Sequence, residues 1–170
     1  MMKRVAIAVL AMAFVGSVQA ADDEHHSHSA PEKLGTVRFP TSCATALKPA
    51  FERALALLHS FAYTASEQAF RGVAARDPNC AIAHWGIAMS RFHQLWEPPS
   101  GPDLREGAEQ VRRALAIRAG SHRERQFIEA LDTYYRDAQE EAHIVRAERY
   151  ARAIAEVARG NPGDPEAQIF

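Results

Sequence analysis

The chain has 170 residues, 47% of them hydrophobic and 24% charged, with two cysteines. That composition suits one globular domain or one short array of repeats, and it excludes a disordered chain, collagen and a disulfide-dense mini-protein. Lys and Arg number 20 against 21 Asp and Glu, a net charge of -1. The broad basic footprint that nucleic-acid binding needs is therefore missing, and no nucleic acid is expected as a partner.

The first twenty residues form a secretory signal peptide by pattern. Lys3 and Arg4 make a basic start, residues 5–15 are continuously apolar, and Val18-Gln19-Ala20 ends on the small residues that signal peptidase accepts. Eleven apolar residues are too few to span a hydrocarbon core of roughly 30 Å. Cleavage is expected after Ala20, with a secreted or periplasmic product and no membrane span in the mature chain.

Residues 21–38 follow as a polar arm with little to bury, expected to be flexible. His25, His26 and His28 lie beside Asp22, Asp23 and Glu24. Imidazoles and carboxylates suit Zn, Cu or Ni, so the arm is a candidate metal site; the alternative is a solvated tail. Residues 39–48 read as an irregular lead-in.

From Pro49 the apolar residues take a helical period. Phe51, Ala54, Leu55, Leu58, Phe61 and Ala62 fall on one face, then Ala65, Ala69, Phe70 and Val73 on another, before Asp77-Pro78-Asn79 ends the run. Six helices are expected over about 49–62, 65–76, 80–95, 103–118, 122–136 and 139–159. Pro49 fits a first turn. Ser121-x-x-Glu124 is a capping box for the fifth helix. No stretch alternates with period two, so the fold class expected is all-α.

The chain also repeats. A shift of 34 residues puts Phe51 on Trp85, Ala54 on Ala88, Leu55 on Met89, Leu58 on Phe92 and His59 on His93. A further shift of 42 puts Trp85 on Phe127, Ala88 on Ala130, Met89 on Leu131 and Phe92 on Tyr134, the extra residues matching the Pro/Gly-rich loop 96–103. A helix pair recurring at this period resembles the tetratricopeptide repeat. Residues 49–82 carry the resemblance best: Ala54 and Ser66 stand at the family's small positions, Phe70 at its aromatic and Pro78 at its closing proline. Val73 stands where a small residue is usual, and the second and third repeats carry insertions. The resemblance spans residues 48–170, as repeats of about 49–78, 79–120 and 121–162 with a stub at 163–170. The stub ends on Ile169 and Phe170 without a partner helix. This suggests the N-terminal part of a longer protein, or an end that docks on another chain.

The resemblance implies a right-handed α-α superhelix whose first helices line a concave groove. By position, that groove would present Phe51, Glu52, Leu55 and His59, then Trp85, Met89, Phe92 and His93, then Ile128, Leu131 and Tyr135. An apolar, aromatic lining of this kind suits a protein or peptide partner, or the missing C-terminal part of the same protein. The alternative is that these side chains are core. Cys43 and Cys80 each precede or open a first helix, so their ends would be neighbours in such a stack. A disulfide is expected in an exported protein, two separate buried thiols being the alternative. His59 and His93, with Met89 one turn away, raise the further idea of a copper-type site, against ordinary buried imidazoles. No catalytic motif is present. The function expected is a non-enzymatic binding scaffold without a cofactor; a periplasmic Cu/Zn-binding protein is the second reading.

Overall fold

The computed structural model describes residues 33–93 and 97–170. The expected signal peptide at residues 1–20 and the His25, His26 and His28 cluster lie outside the described residues. Among the described residues every regular element is helical. α1 spans Lys48–His59, α2 Tyr63–Arg76, α3 Ala81–Phe92, α4 Gly101–Ala116, α5 His122–Tyr135, α6 His143–Gly160 and α7 Pro165–Ile169, with a 3-10 turn at Thr45–Leu47 before α1.

Local chemistry sets the helix limits. Pro49 sits in the first turn of α1, where its missing N–H costs nothing. Ser100 caps α4, its hydroxyl accepting from the Asp103 N–H at 3.3 Å. That start precedes the expected residue 103, because Gly101 and Pro102 fit inside the first turn. Ser121 and Glu124 form the capping box of α5 as expected. α3 ends at Phe92, before the expected residue 95, because His93 takes a left-handed conformation (φ 49°) that cannot continue the helix.

Each helix packs on the next, and the odd-numbered helices also meet: α1 touches α3, and α3 touches α5. α3 is the most enclosed, burying ten of its twelve residues. Two close approaches let neighbours press on it and on α4. A Cβ on Gly86 would stand 2.5 Å from the Phe70 ring, and one on Gly107 would stand 2.2 Å from the Tyr135 ring. Ser66 and Ser90 bridge α2 and α3 deep in the core at 3.1 Å, each also donating to a helical carbonyl.

An ion-pair network binds the outer faces of α2, α3 and α4. Arg91 holds Glu67 at 2.8 Å and Asp103 at 2.6 Å, and Arg71 pairs with both Glu67 and Glu106. The Arg71 hydrogen bond holds the Glu106 carboxyl below its ordinary range, against the effect of burial. At Asp103, burial pushes the carboxyl up, but hydrogen bonds from Ser100 and Arg91 outweigh it and hold the group low.

The expected disulfide is present. Cys43 is bonded to Cys80, with Cα atoms 4.7 Å apart. It ties the irregular lead-in to the residue that opens α3.

Candidate functional site

The three aromatics that coincide under the 34- and 42-residue shifts, Phe51, Trp85 and Phe127, converge in space on a fourth, Phe39. Its ring lies 5.3 Å from Phe51, 6.0 Å from Trp85 and 5.5 Å from Phe127, and it is fully buried. The Arg123 guanidinium covers the Phe39 ring at 4.0 Å and also stands 4.8 Å from the Phe127 ring. One side chain from the irregular lead-in thus fills a box built by α1, α3 and α5.

Carboxylates hold the backbone of that lead-in. The Phe39 N–H donates to Glu52 at 3.4 Å, the Ser42 N–H to Glu124 at 2.9 Å and the Ala44 N–H to Asp77 at 2.8 Å. Glu124 serves two purposes. One oxygen receives Ser42; the other receives the Ser121 N–H at 2.6 Å and completes the capping box. The residue is buried, so these hydrogen bonds replace the water that its carboxylate gives up.

α7 covers the same face from the other side. Glu166 is buried and accepts a hydrogen bond within 2.8 Å of His59 Nε2. The Phe170 ring stacks on His59 at 5.2 Å and meets Trp85 edge-on at 5.1 Å. Arg123 is joined to Asp164, just before α7. Three donors in this region are buried without an acceptor among the described residues: Trp85 Nε1 and both terminal nitrogens of Arg123.

The open groove expected from the sequence is therefore not where it was placed. Phe51, Leu55, Trp85, Met89, Phe92, Ile128, Leu131 and Tyr135 are all buried. Phe39 and Phe170 cover the Phe51, Trp85 and Phe127 end. At the other end Phe92 is covered by Tyr134 at 4.0 Å and Tyr150 at 5.2 Å, and the Tyr150 hydroxyl donates to Met89 Sδ. Tyr135 lies beneath α3, donating to the Ala88 carbonyl at 2.7 Å. Burial pushes the Tyr134, Tyr135 and Tyr150 hydroxyls above their ordinary range.

The two histidines placed at equivalent positions have different neighbours. His59 faces Glu166 and Phe170, whereas the His93 ring packs on Tyr63 at 4.6 Å. No group of three or more His, Cys, Asp or Glu side chains among the described residues is arranged to hold a metal ion. The sequence also left Phe170 unpartnered, whereas its ring packs within the chain.

Phe39, Arg123, Glu166 and Phe170 were not foreseen as parts of this face. Phe39 is the only large aromatic between the arm and Pro49, beside Pro40 and four residues before a cysteine, and that isolation was the available signal. Compared with known proteins, the chain matches no family model, no curated protein and no solved structure.

Proposed function

We propose that this chain is an exported, non-enzymatic scaffold of tetratricopeptide-type helix pairs that holds extended polypeptide segments against the aromatic face of α1, α3 and α5. The observation that carries this reading is the docking of residues 33–44. A segment with no regular structure before Thr45 lies on three helices, one aromatic side chain in a box and backbone N–H groups on Glu52, Glu124 and Asp77. An apolar pocket for one anchor, with carboxylates for the main chain, is a recognition chemistry suited to peptides.

The packing order supports the repeat reading: successive helices pair, and the odd-numbered helices lie side by side. Export is supported by the Cys43–Cys80 bond, since disulfides persist in oxidising compartments. No helix among the described residues is long and apolar enough to cross a membrane.

The test uses the whole, disulfide-bonded chain carrying Phe39→Ala, which vacates the box. A labelled peptide with the sequence of residues 33–42 should bind it saturably, with a Kd of about 1–100 μM, and should change the Trp85 emission. A variant that folds but takes up no peptide refutes the reading.

A further inference from the structure

We infer that the cleft between the end of α4 and the first turns of α5 is a separate docking surface, which takes an acidic segment of another protein carrying an aliphatic side chain. It uses none of the aromatic rings described above and does not rest on the peptide-holding function proposed for them.

The cleft has a volume of about 410 Å³. Leu115, Ile117 and Ile128 give it an aliphatic lining, and Leu115 is left 45% exposed. A single exposed Leu is ordinary. The charges around this one are not. Residues 112–125 hold five arginines and one carboxylate, Glu124, in a chain whose net charge is -1. Glu124 is buried, and both of its oxygens are taken by backbone N–H groups. Arg112 and Arg113 share Glu109, and Arg123 is joined to Asp164. Arg118 and Arg125 are left with no carboxylate in ion-pair range among the described residues, and both line the cleft.

The geometry also assigns its ends. Arg125 gives Nη1 to the Gly120 carbonyl at 2.7 Å, which holds its guanidinium toward the loop that carries Arg118. Its other nitrogens face no acceptor of the chain. Glu129, the one carboxylate in the lining, stands a turn further along α5. An incoming carboxylate therefore fits the loop end, where charge-assisted hydrogen bonds from Arg118 and Arg125 can reach it, and the aliphatic side chain fits against Leu115 and Ile128. No ring lines the cleft for a nucleic-acid base to stack on. One exposed leucine is far less apolar surface than an interfacial membrane anchor buries. A surface this small suits a transient partner, with a Kd of about 100 μM.

The experiment titrates a short labelled peptide, a leucine pair flanked on both sides by Asp and Glu, into the full, oxidised chain. Binding is read by anisotropy and located by amide chemical shifts. Shifts should move at Leu115, Ile117 and Ile128, and high salt should weaken the complex severalfold. The Arg118→Gln, Arg125→Gln double variant should bind about 10-fold more weakly, and Leu115→Gln about 5-fold. These side chains are exposed, so helix circular dichroism should be unchanged; Arg118→Glu alone serves if the double variant fails to fold. A peptide with Lys in place of every acid should not bind. Phe39→Ala should leave the affinity as it is. A peptide that binds only the Phe39→Ala chain occupies the aromatic face and overturns the cleft while supporting the peptide-holding function. Affinities that ignore Arg118 and Arg125, or an equally tight Lys peptide, overturn the acidic partner. Capture of the wild type by phosphatidylglycerol vesicles without any peptide binding assigns the arginines to a lipid surface and overturns the protein partner.

Discussion

Two glycines in adjacent helices offer a matched test of the packing. Gly72 lies on the exposed side of α2, where an added Cβ meets nothing within 4 Å. Gly86 lies in buried α3, where the same atom would stand 2.5 Å from Cδ1 and Cε1 of Phe70 and 2.6 Å from Cγ. In a helix interior Gly→Ala removes a backbone entropy cost of about 0.8–1 kcal/mol. Gly72→Ala should gain that amount. At Gly86 the gain is opposed by overpacking, about 1–3 kcal/mol and at the upper end here. The clash reaches the root of the Phe70 ring, which is fully buried and set edge-on against Phe51 at 5.3 Å, so rotation of Phe70 cannot relieve it. The net expectation for Gly86→Ala is a loss of about 2 kcal/mol, which places the two variants about 3 kcal/mol apart. For a chain of this size that is a Tm difference of roughly 6–12 °C, the wild type lying between them. Urea and thermal unfolding of the oxidised proteins, followed by helix circular dichroism, measure it. A Gly86→Ala protein as stable as Gly72→Ala would show that α2 and α3 do not approach this closely.

Three further expectations follow from other contacts. Replacing Cys43 and Cys80 by Ser should cost about 4 kcal/mol in the chain-entropy estimate for a 37-residue separation, read from urea midpoints against the oxidised protein, with thiol counting to confirm the bond. Glu124→Ala should cost more than Ser121→Ala, about 2–3 kcal/mol against about 1, because it removes both the reciprocal cap and the acceptor for Ser42; equal losses would deny Glu124 its second purpose. Asp103 and Glu106 are held below their ordinary range, so their contribution is present above about pH 4–5 and lost as pH falls through their lower folded values. The wild type should therefore lose stability steeply below about pH 4. Arg71→Gln should start lower at neutral pH and fall less steeply across the same window; parallel curves would refute the coupling.

What the sequence revealed was what depends on near neighbours in the chain. The capping box at Ser121 and Glu124 lies within one turn, and Pro49 marks its own position in α1, so both were readable. The apolar period located the helices, and two cysteines allow only one intrachain pairing. The close approaches at Gly86 and Gly107 were not readable, because a glycine inside a helical pattern registers only as a lost preference. Nor was the joining of Arg123 to Asp164, 41 residues apart, or the placing of buried Arg146 over the Tyr134 ring at 4.6 Å. Both cations lie on charged helix faces that look solvated until the neighbouring ring is known.

The aromatic face shows why that limit matters. A period of apolar residues identifies which side chains leave water; it does not identify what covers them. Phe51, Trp85 and Phe127 recur in register, and a repeat array could present such a row to a partner or close it from within. Here the cover is a segment with no helix of its own, and one ring is a small anchor for an extended strand to hold against its conformational entropy. The disulfide changes that balance. It fixes the strand at Cys43, four residues from Phe39, and at Cys80, five residues before Trp85, so the anchor needs to search only a short tether. The disulfide and the Phe39 anchor are therefore separable in strength. Loss of the bond lengthens the tether to the start of α1 and should open the box around Trp85 before any helix pair comes apart. A Trp85 emission that moves only together with the helix signal would place Phe39 in the same cooperative unit as the helices.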